Sequence, residues 1–408
     1  MGDSSGEKRP LTVAHAIHSG GFYGAERVVQ DLALRQAHQR RIVPVLIDVI
    51  DADIEQSELG RRLRATPAVR VVALPTRRGL TVGALQAYAR TLRALKPDVV
   101  HSHGYKPTVL HIVSRMLRMH DTPLVVTAHG YTLTSPSLKD RLYQWLDVAM
   151  LARANAVVAV SAALARYLAE QSSRIVSRTI PNGMDPELHA SGEHPLRTYL
   201  RATVPSFTSS TRTPVIIGSV GRLVPMKNHA LLIDTVGNLL ARGLPCVLVI
   251  LGDGPSRGEL ETLWRSRMPD LEPLLIPHRD DVLDWVSDMD IFCMPSGPGE
   301  GLPMALLEAG LLERAVVCST SGGMADLIVN GENGRLVAMG DRSGFETALA
   351  ELIDAPDVRA RLGARLRQTI VSGYALDAVE RRYEDVYRSV VREPSLTPSL
   401  VKRREAMR

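Results

Sequence analysis

Short apolar runs alternate along the chain with longer stretches in which apolar residues recur at helical spacing. The runs have strand length and are bounded by Gly, Pro, Asn, Asp or Ser. Alternation of this kind is typical of βαβ units that form a parallel sheet. The runs predict strands near residues 11–17, 42–48, 69–74, 98–102, 123–128, 155–160 and 175–180, and a second series near 215–220, 246–251, 273–276, 290–294, 315–318 and 335–338.

Helical spacing is clearest at 80–95 and 137–152 and, near the C-terminus, at 357–372 and 376–392. Between the two strand series, residues 186–213 are rich in Ser, Thr, Gly and Pro, a composition typical of linkers. Two α/β domains with a cleft between them fit this pattern better than one long sheet. We predict an N-terminal Rossmann-like domain at 1–190, a linker at 191–213, a second Rossmann-like domain at 214–375, and a C-terminal helix with a basic tail at 376–408.

The amino-acid composition limits which classes of molecule the protein is expected to bind. The 408 residues are 45% hydrophobic and 23% charged, which is ordinary for a globular protein, but only 4% aromatic. A platform for single-stranded nucleic acid needs aromatic rings to stack the bases, so we expect no nucleic acid partner. The net charge of +5 suits an anionic substrate or membrane surface, and Arg-rich solvated faces explain it equally well.

The cysteines and the apolar runs indicate a cytoplasmic location. Cys246, Cys293 and Cys318 lie in strand-like apolar contexts without metal-ligand spacing, which predicts buried thiols in a reducing compartment. The first apolar run is too short for a signal peptide, and no run reaches the about 18 residues that span a bilayer. We expect a protein that is at most peripheral on the inner face of the membrane. The basic residues that would attract anionic lipid there are those of the C-terminal tail and Arg61, Arg62, Arg64, Arg77 and Arg78.

Two glutamates lie in sequence contexts in which an ionised carboxylate is energetically unfavourable. Glu300 lies in a loop rich in Gly and Pro after the strand near 290–294, and Pro303 suits the first turn of the helix that follows. From 304 to 312 nearly every residue is apolar, so Glu308 is predicted to be buried. A buried carboxylate needs hydrogen-bond donors, and vicinal sugar hydroxyls provide them. The alternative is that Glu300 is a loop acid and Glu308 a helix-surface acid.

Residues 300–309 read E-G-L-P-M-A-L-L-E-A, which resembles the signature of family 4 glycosyltransferases, retaining enzymes of the GT-B fold. The resemblance implies that Glu300 is catalytic and contacts the transferred sugar, and that Glu308 holds the nucleotide ribose. It also implies that the intervening Gly301, Leu302 and Pro303 bind the donor. Leu302 and Pro303 stand where many relatives have Phe-Gly, which leaves the identity of the donor sugar open.

A pair of cations is predicted at the start of the second domain. Residues 221–228 read G-R-L-V-P-M-K-N and resemble the G-R-L-x-x-x-K-N motif of the same family. The spacing places Arg222 at a strand end and Lys227 at the start of the next helix. Two fixed cations stabilise the charge that grows on a leaving diphosphate, so both residues are predicted to be catalytic and donor-binding. In isolation, an Arg and a Lys are more often ordinary surface residues.

Glycine turns follow several strands, at the sheet edge where doubly wound folds bind ligands. Gly20 and Gly21 follow the first strand but lack the G-x-G-x-x-G fingerprint; the resemblance implies that they face the donor diphosphate. Gly252 lies in a G-D-G-P turn similar to that of the family, and His278 lies where relatives place the nucleotide base. The S-G-G sequence at 321–323 is either part of this site or a plain turn.

Three histidines follow strands of the first domain. His101 and His103 form a His-x-His pair, but no acidic or Cys partner stands at motif spacing, so we interpret them as hydrogen-bonded loop histidines and predict no metal. His129 matches a family position that reaches the donor sugar or its phosphate. There it can donate a hydrogen bond to developing negative charge, so it is predicted to be catalytic.

The joint pattern predicts an α/β protein of the GT-B fold, with two Rossmann-like domains whose parallel sheets face across a cleft. The resemblance implies a retaining hexosyltransferase, independent of metal and cofactor, that passes a sugar from a nucleoside diphosphate donor, UDP favoured over GDP, to a glycan or lipid-linked acceptor in polysaccharide or glycolipid biosynthesis. It also implies that the C-terminal helix crosses back to the first domain. The alternatives are a nucleotide-sugar epimerase and a catalytically silent GT-B scaffold subunit.

Overall fold

The computed structural model describes residues 9–76, 80–130, 138–205, 207 and 213–392. The chain forms two compact units. Unit 1 contains the described residues of 1–129, 135–183 and 376–408, and unit 2 those of 130–134 and 184–375. Within the described residues, no helix is both long and apolar enough to cross a membrane.

Unit 1 is built on a parallel sheet with the strand order β3-β2-β1-β4-β5-β6-β7. Its strands are β1 (Leu11–His18), β2 (Ile42–Asp51), β3 (Arg70–Thr76), β4 (Val99–His103), β5 (Leu124–Ala128), β6 (Ala156–Ala159) and β7 (Ser177–Thr179). Its helices are α1 (Gly24–Gln39), α2 (Glu58–Arg64), α3 (Val82–Leu95), α4 (Tyr105–Met116), α5 (Leu138–Leu151), α6 (Ala162–Gln171) and, from the C-terminus, α15 (Leu376–Arg392). Strands β4 and β5 are buried at every position, as expected for a parallel sheet covered on both faces.

Helix α15 is part of the core of unit 1. Tyr383 and Tyr387 are almost fully buried and belong to one apolar cluster with residues of β1, β4, β5 and β6. At the surface Arg41, just before β2, contacts two acids of α15: Glu380 at 2.8 Å and Glu384 at 2.9 Å. The C-terminal helix therefore contributes both apolar packing and polar groups beneath the sheet of unit 1.

Unit 2 is built on a second parallel sheet, with the order β10-β9-β8-β11-β12-β13. Its strands are β8 (Val215–Val220), β9 (Cys246–Leu251), β10 (Leu275–Ile276), β11 (Ile291–Met294), β12 (Ala315–Ser319) and β13 (Arg335–Val337). Its helices are α7 (Pro195–Thr203), α8 (His229–Ala241), α9 (Arg257–Arg267), α10 (Val282–Ser287), α11 (Met304–Leu311), α12 (Met324–Leu327), α13 (Arg342–Asp354) and α14 (Pro356–Gly373). Every predicted strand is present in these two sheets, and the three cysteines are buried free thiols.

The predicted linker at 191–213 differs from what the structure contains. Helix α7 lies inside it, and both Leu196 and Leu200 are fully buried. The buried carboxylate of Asp288 accepts a hydrogen bond from Arg197 N at 3.0 Å and lies 2.6 Å from His194 Nδ1. His194 and Arg197 thus anchor the first part of this segment to unit 2, and the chain passes from unit 1 to unit 2 at 183–184 instead; residues 206 and 208–212 lie outside the described residues.

Candidate functional site

Glu308 is a buried acid on an apolar helix. Helix α11 follows Pro303, whose φ of −67° suits the residue before a helix, and all of its residues except Ala305 are buried. Glu308 itself is only 6% exposed. The alternative that it is a helix-surface acid is therefore excluded, and its carboxylate lies in the environment in which hydrogen-bond donors are most needed.

Glu300 and Lys227 form an ion pair at the carboxyl edge of the second sheet. Lys227 Nζ donates to Glu300 Oε2 at 2.7 Å, and the two side chains are only 14% and 10% exposed. A lysine ammonium has three N–H groups, so two remain that can donate to a phosphate beside Glu300. The structure thus brings together two of the predicted catalytic residues, which lie 73 positions apart in the sequence.

Backbone contacts from two neighbouring loops hold the segment 296–303. On one side Gly297 N donates to Met226 O at 2.7 Å, which ties this segment to the short 3₁₀ turn that carries Lys227. On the other side, the end of β12 and the loop after it donate three hydrogen bonds: Ser319 Oγ to Ser296 O at 2.5 Å, Ser321 Oγ to Gly297 O at 2.5 Å, and Gly323 N to Gly301 O at 2.7 Å. These hydrogen bonds fix the segment 296–303, which carries Glu300 and is called the braced loop below. Residues 321–323 supply two of them.

Glycine at 252 allows two loops to approach closely. Gly252 has a φ of +148°, and a Cβ there would overlap the carbonyl oxygen of Gly221. The turn after β9 consequently lies against the loop that begins at Gly221 and leads to Lys227. The other predicted donor-binding residues of unit 2 lie in three places: Arg222 is exposed at the start of that loop, Gly301 and Leu302 are buried beside Pro303, and His278 is exposed after β10. Gly20 and Gly21 follow β1 and belong to unit 1.

His229 is a buried residue of this region that the sequence reasoning missed. It begins helix α8, two positions after Lys227, and is 2% exposed. Neither ring nitrogen has a hydrogen-bond partner among the described residues. Burial, with a smaller contribution from the charge of Lys227, lowers the pKa of His229 to about 3, so the ring is neutral at physiological pH. Its position directly after the cation motif is the signal that could have revealed it.

A cluster of histidines extends from the middle of β1 and β4 to the carboxyl ends of β4 and β5 in unit 1. His15 lies opposite His101 in the register of β1 and β4, and His103 lies two residues further along β4. His101 and His103 are buried strand residues, which corrects the prediction that they are loop histidines, although both are hydrogen-bonded as predicted. His129 follows β5 and contacts His103, with 3.1 Å between His129 Nε2 and His103 Nδ1.

Two family models match the chain. The model described as Glycosyltransferase Family 4 matches residues 22–188, and the model described as Glycosyl transferases group 1 matches residues 214–355. The chain belongs to glycosyltransferase family 4. The residues of the family resemblance, from the glycine loop after β1 to Glu308, fall within or beside these two matched segments.

Curated members of the family match this chain over part of their length. CapM of Staphylococcus aureus, a capsular polysaccharide biosynthesis glycosyltransferase, is 25% identical over 181 residues, which are 44% of this chain and 47% of CapM. The putative glycosyltransferase EpsF of Bacillus subtilis is 33% identical over 162 residues, 39% of this chain and 41% of EpsF. The UDP-Gal:alpha-D-GlcNAc-diphosphoundecaprenol alpha-1,3-galactosyltransferase of Escherichia coli is 28% identical over 216 residues, 52% of this chain and 54% of that enzyme. The chain spans about half the length of these relatives.

Solved structures share the fold of this family 4 chain over nearly its whole length. Anabaena Alr3699/HepE in complex with UDP and glucose has a TM-score of 0.75 at 18% identity, covering 93% of this chain and 100% of that one. Sucrose-phosphate synthase of Thermosynechococcus elongatus has a TM-score of 0.73 at 18% identity, covering 93% and 99%. These likenesses confirm the predicted GT-B fold with two Rossmann-like units and parallel sheets.

The basic residues that were predicted to attract anionic lipid to this family 4 chain are neutralised only in part where the structure describes them. Arg61 and Arg62 both pair with Glu58, at 2.5 Å and 2.7 Å, and Arg62 also lies 4.3 Å above the ring of Phe22. Arg77, Arg78 and the C-terminal tail lie outside the described residues. Arg61 and Arg62 share one carboxylate, and Arg64 contacts the neutral Gln56, so a net positive charge remains on this surface and membrane contact stays a prediction.

The stability of the family 4 chain is expected to fall between pH 7.5 and pH 5. Burial lowers the pKa of His15 to about 4 and that of His129 to about 4, and holds the pKa values of His101 and His103 well below normal. The unfolded chain therefore binds more protons than the folded chain as pH falls from about 6.5, and stability declines through that window. For His15 alone the loss at pH 5 is about 2 kcal/mol.

Urea unfolding followed by circular dichroism at pH 7.5 and pH 5 checks this expectation. His15→Phe, which cannot be protonated, should lose about 2 kcal/mol less than the unsubstituted chain over the same interval. His189→Gln replaces an exposed histidine and should leave the pH dependence unchanged. Equal free energies of unfolding at the two pH values would contradict the neutral state of the buried histidines.

Proposed function

We propose that this protein is a retaining glycosyltransferase that transfers a hexosyl group from a nucleoside diphosphate sugar to a glycan or lipid-linked acceptor in polysaccharide or glycolipid biosynthesis. The single observation that carries the proposal is the braced, nearly buried pair of Lys227 and Glu300. In this pair, a cation that stabilises a departing phosphate lies beside a carboxylate that stabilises the sugar as it gains positive charge. A scaffold subunit has no need of such a pair.

The two members of the pair have complementary tasks in the proposed reaction. As the glycosidic bond breaks, electrons move to the diphosphate, and the free N–H groups of Lys227 stabilise the growing negative charge. Glu300 faces the anomeric region, where positive charge develops on the sugar ring. An ion-paired carboxylate is a weak nucleophile, which favours electrostatic stabilisation by Glu300 over a covalent intermediate. Retention then follows if the acceptor attacks from the face on which the diphosphate leaves.

A UDP-sugar is the proposed donor, and no metal is required. Support for UDP comes from the neighbour Alr3699/HepE, which was solved with UDP and glucose, and from the E. coli relative, which is named for UDP-Gal. That relative is also named for a diphosphoundecaprenol acceptor, which supports a lipid-linked acceptor here. Lys227, assisted by Arg222, supplies the positive charge that a divalent cation supplies in other transferases. Glu308 is proposed to hold the ribose hydroxyls.

Release of free nucleotide from a panel of nucleotide sugars, with and without lipid-linked acceptors, tests the proposal. The expected result is acceptor-dependent release of UDP in the presence of EDTA. A chain that binds none of the nucleoside diphosphates and turns over none of the donors would be a silent scaffold. Conversion of the sugar to its epimer without an acceptor would instead identify a nucleotide-sugar epimerase.

Replacing Glu308 by Gln is expected to raise the KM for the donor about tenfold while kcat changes little. The ribose does not change during the reaction, so its contacts stabilise the bound donor and the transition state equally. Steady-state kinetics with the donor that the panel selects measures both constants, and Glu332→Gln, an exposed acid of the same unit, is the matched control. A large fall in kcat at an unchanged KM would assign Glu308 to the chemical step.

A further inference from the structure

Four side chains of unit 1 form a continuous line of hydrogen bonds that the proposed reaction does not use. We name it the histidine chain: His129, His103, His15 and Gln36. His129 Nε2 lies 3.1 Å from His103 Nδ1, His103 Nε2 lies 3.1 Å from His15 Nδ1, and His15 Nε2 lies 2.8 Å from Gln36 Oε1. The inner members are buried, and only the end at His129 is partly exposed. The line therefore runs from the core to the sheet edge.

A buried metal site is the competing explanation for these histidines. One nitrogen each of His15, His101 and His103 lies within 4.8 Å of the others. A metal ligand must direct a lone pair at the ion. Both nitrogens of His15 and of His103 are engaged within the histidine chain, and those of His101 lie 2.7 Å from Tyr387 Oη and 2.7 Å from Thr127 Oγ1. Because every nitrogen already has a hydrogen-bond partner, the geometry favours a hydrogen-bond chain over a metal site.

Neutral imidazole has one N–H donor and one acceptor, so a single orientation at Gln36 determines the whole chain. Gln36 Oε1 can only accept, which requires the proton of His15 on Nε2. His15 Nδ1 then accepts from His103 Nε2–H, and His103 Nδ1 accepts from His129 Nε2–H. The last ring is left with its proton on the inner nitrogen and a lone pair on Nδ1, which has no partner in the described part of the chain.

The opposite direction would require Gln36 to turn its amide group, and two observations disfavour it. Gln36 Nε2 donates to Tyr387 Oη at 3.5 Å, and that hydroxyl can in turn donate to His101 Nδ1, which leaves the proton of His101 on Nε2 beside Thr127. In this arrangement all four histidines carry the proton on Nε2, the tautomer that free histidine prefers. Turning the amide would force His15, His103 and His129 into the less favourable form at once.

We propose that Gln36 is a positioning residue that, through His15 and His103, fixes His129 with its proton on Nε2 and a lone pair on Nδ1. His129 consequently presents a hydrogen-bond acceptor, which fits a sugar hydroxyl and not a phosphate oxygen. This differs from the sequence-based prediction that His129 donates to negative charge. The assignment of a hydroxyl as the partner rests on the proposed function, whereas the protonation state of His129 does not.

Two-bond ¹H–¹⁵N correlation spectra of protein labelled with ¹⁵N-histidine measure the tautomer of each ring directly and need no substrate. The signal of His129 is assigned from the spectrum of His129→Gln. We expect the Nε2–H pattern for His129 in the unsubstituted protein. His15→Phe interrupts the histidine chain and should give a mixture of tautomers at His129. His101→Phe is the matched control: its ring lies 4.0 Å from that of His103, centre to centre, outside the histidine chain, and without it Tyr387 Oη can still accept from Gln36 Nε2.

A substitution at Gln36 provides a second test that does not alter a histidine. Gln36→Leu removes the acceptor for His15 Nε2–H and should release the Nε2–H pattern at His129. With the donor that nucleotide release identifies, kcat/KM should fall about tenfold in His15→Phe and less than about twofold in His101→Phe, since one hydrogen bond to the sugar is weakened. Thermal unfolding establishes that each variant is folded.

Three results would overturn the proposal. The first is an Nδ1–H pattern for His129 in the unsubstituted protein. The second is an equal change at His129 in His15→Phe and His101→Phe, which would mean that the cluster acts only through packing. The third is a stoichiometric shift of the His15, His101 and His103 signals with added Zn²⁺, which would make the cluster a metal site. A protein without transferase activity but with the expected spectra would refute the proposed function alone.

Discussion

Glu300→Gln is expected to lower kcat by about 100- to 1,000-fold while the KM for the donor stays within about threefold. Gln retains an oxygen that can accept from Lys227 Nζ, now 2.7 Å from Glu300 Oε2, so the braced loop should keep its geometry. What is lost is the negative charge beside a sugar that becomes positive only on the way to the transition state. Such an interaction contributes to kcat and little to ground-state binding.

Lys227→Ala should reduce kcat to a similar extent, because the charge on the leaving diphosphate also develops late. The two residues act as one pair, so the effects of the single substitutions should not add. We expect the double variant, Lys227→Ala with Glu300→Gln, to be about as slow as the slower single variant. Glu332→Gln is the control for the loss of one negative charge from unit 2 and should retain full activity.

Steady-state kinetics with saturating acceptor measures both constants for these variants. A Glu300→Gln enzyme with normal kcat and only a raised KM would show that Glu300 binds the donor and does not assist the chemical step. Strictly multiplicative effects in the double variant would show that Lys227 and Glu300 act separately, in spite of their contact.

Gly322→Ala is expected to destabilise the protein by about 3 kcal/mol and to reduce kcat/KM at least about tenfold. Gly322 has a φ of +53°, and a Cβ there would overlap the carbonyl oxygen of Glu300 and lie 2.7 Å from that of Gly301. Both contacts are with backbone, which cannot turn aside as a side chain can. The loop that carries Glu300 must therefore move, and its hydrogen bonds to the loop after β12 are strained.

Gly340→Ala separates this steric effect from the cost of the backbone conformation. Gly340 has a φ of +77° in the same unit, but a Cβ there meets nothing within 4 Å. It should cost only about 1 kcal/mol, the ordinary penalty for a left-handed residue other than Gly, and activity should not change. Thermal unfolding together with kinetics below the transition distinguishes the two variants. Equal losses of stability and activity would refute the role of Gly322 in positioning Glu300.

Element type could be predicted from the sequence because the central strands of a parallel sheet are buried on both faces. Continuous apolar runs therefore mark the strands, as at 246–251, which the structure reproduces to the residue. The first part of the segment 191–213 was misinterpreted because His194 and Arg197 anchor it to unit 2. Local composition could not show that Asp288, some ninety residues later, pairs with His194 and Arg197.

For the candidate site, too, some features could be predicted from the sequence and others could not. Glu308 could be recognised as buried from its neighbours alone, because a helix that is apolar all round leaves an acid no exposed face. The partner of Glu300 could be suggested only by a family motif, and for residues 321–323 a place in the site and a plain turn could not be distinguished from the sequence. Such contacts join the ends of different strands, and their distances depend on the strand order.

The amino-acid sequence by itself determined the positions of the strands, the two-unit organisation and the identity of the acids and cations, since these follow from local periodicity and residue chemistry. The tertiary structure alone decided which polar groups meet. The parallel order β1-β4-β5 places His15 beside His101 within the sheet and His129 beside His103 at its carboxyl edge, and helix α15 brings Tyr387 to His101 from 286 positions away. Hydrogen bonds between such distant residues arise only when the sheet is assembled, because parallel strands pair through long crossovers and not through neighbours in the chain.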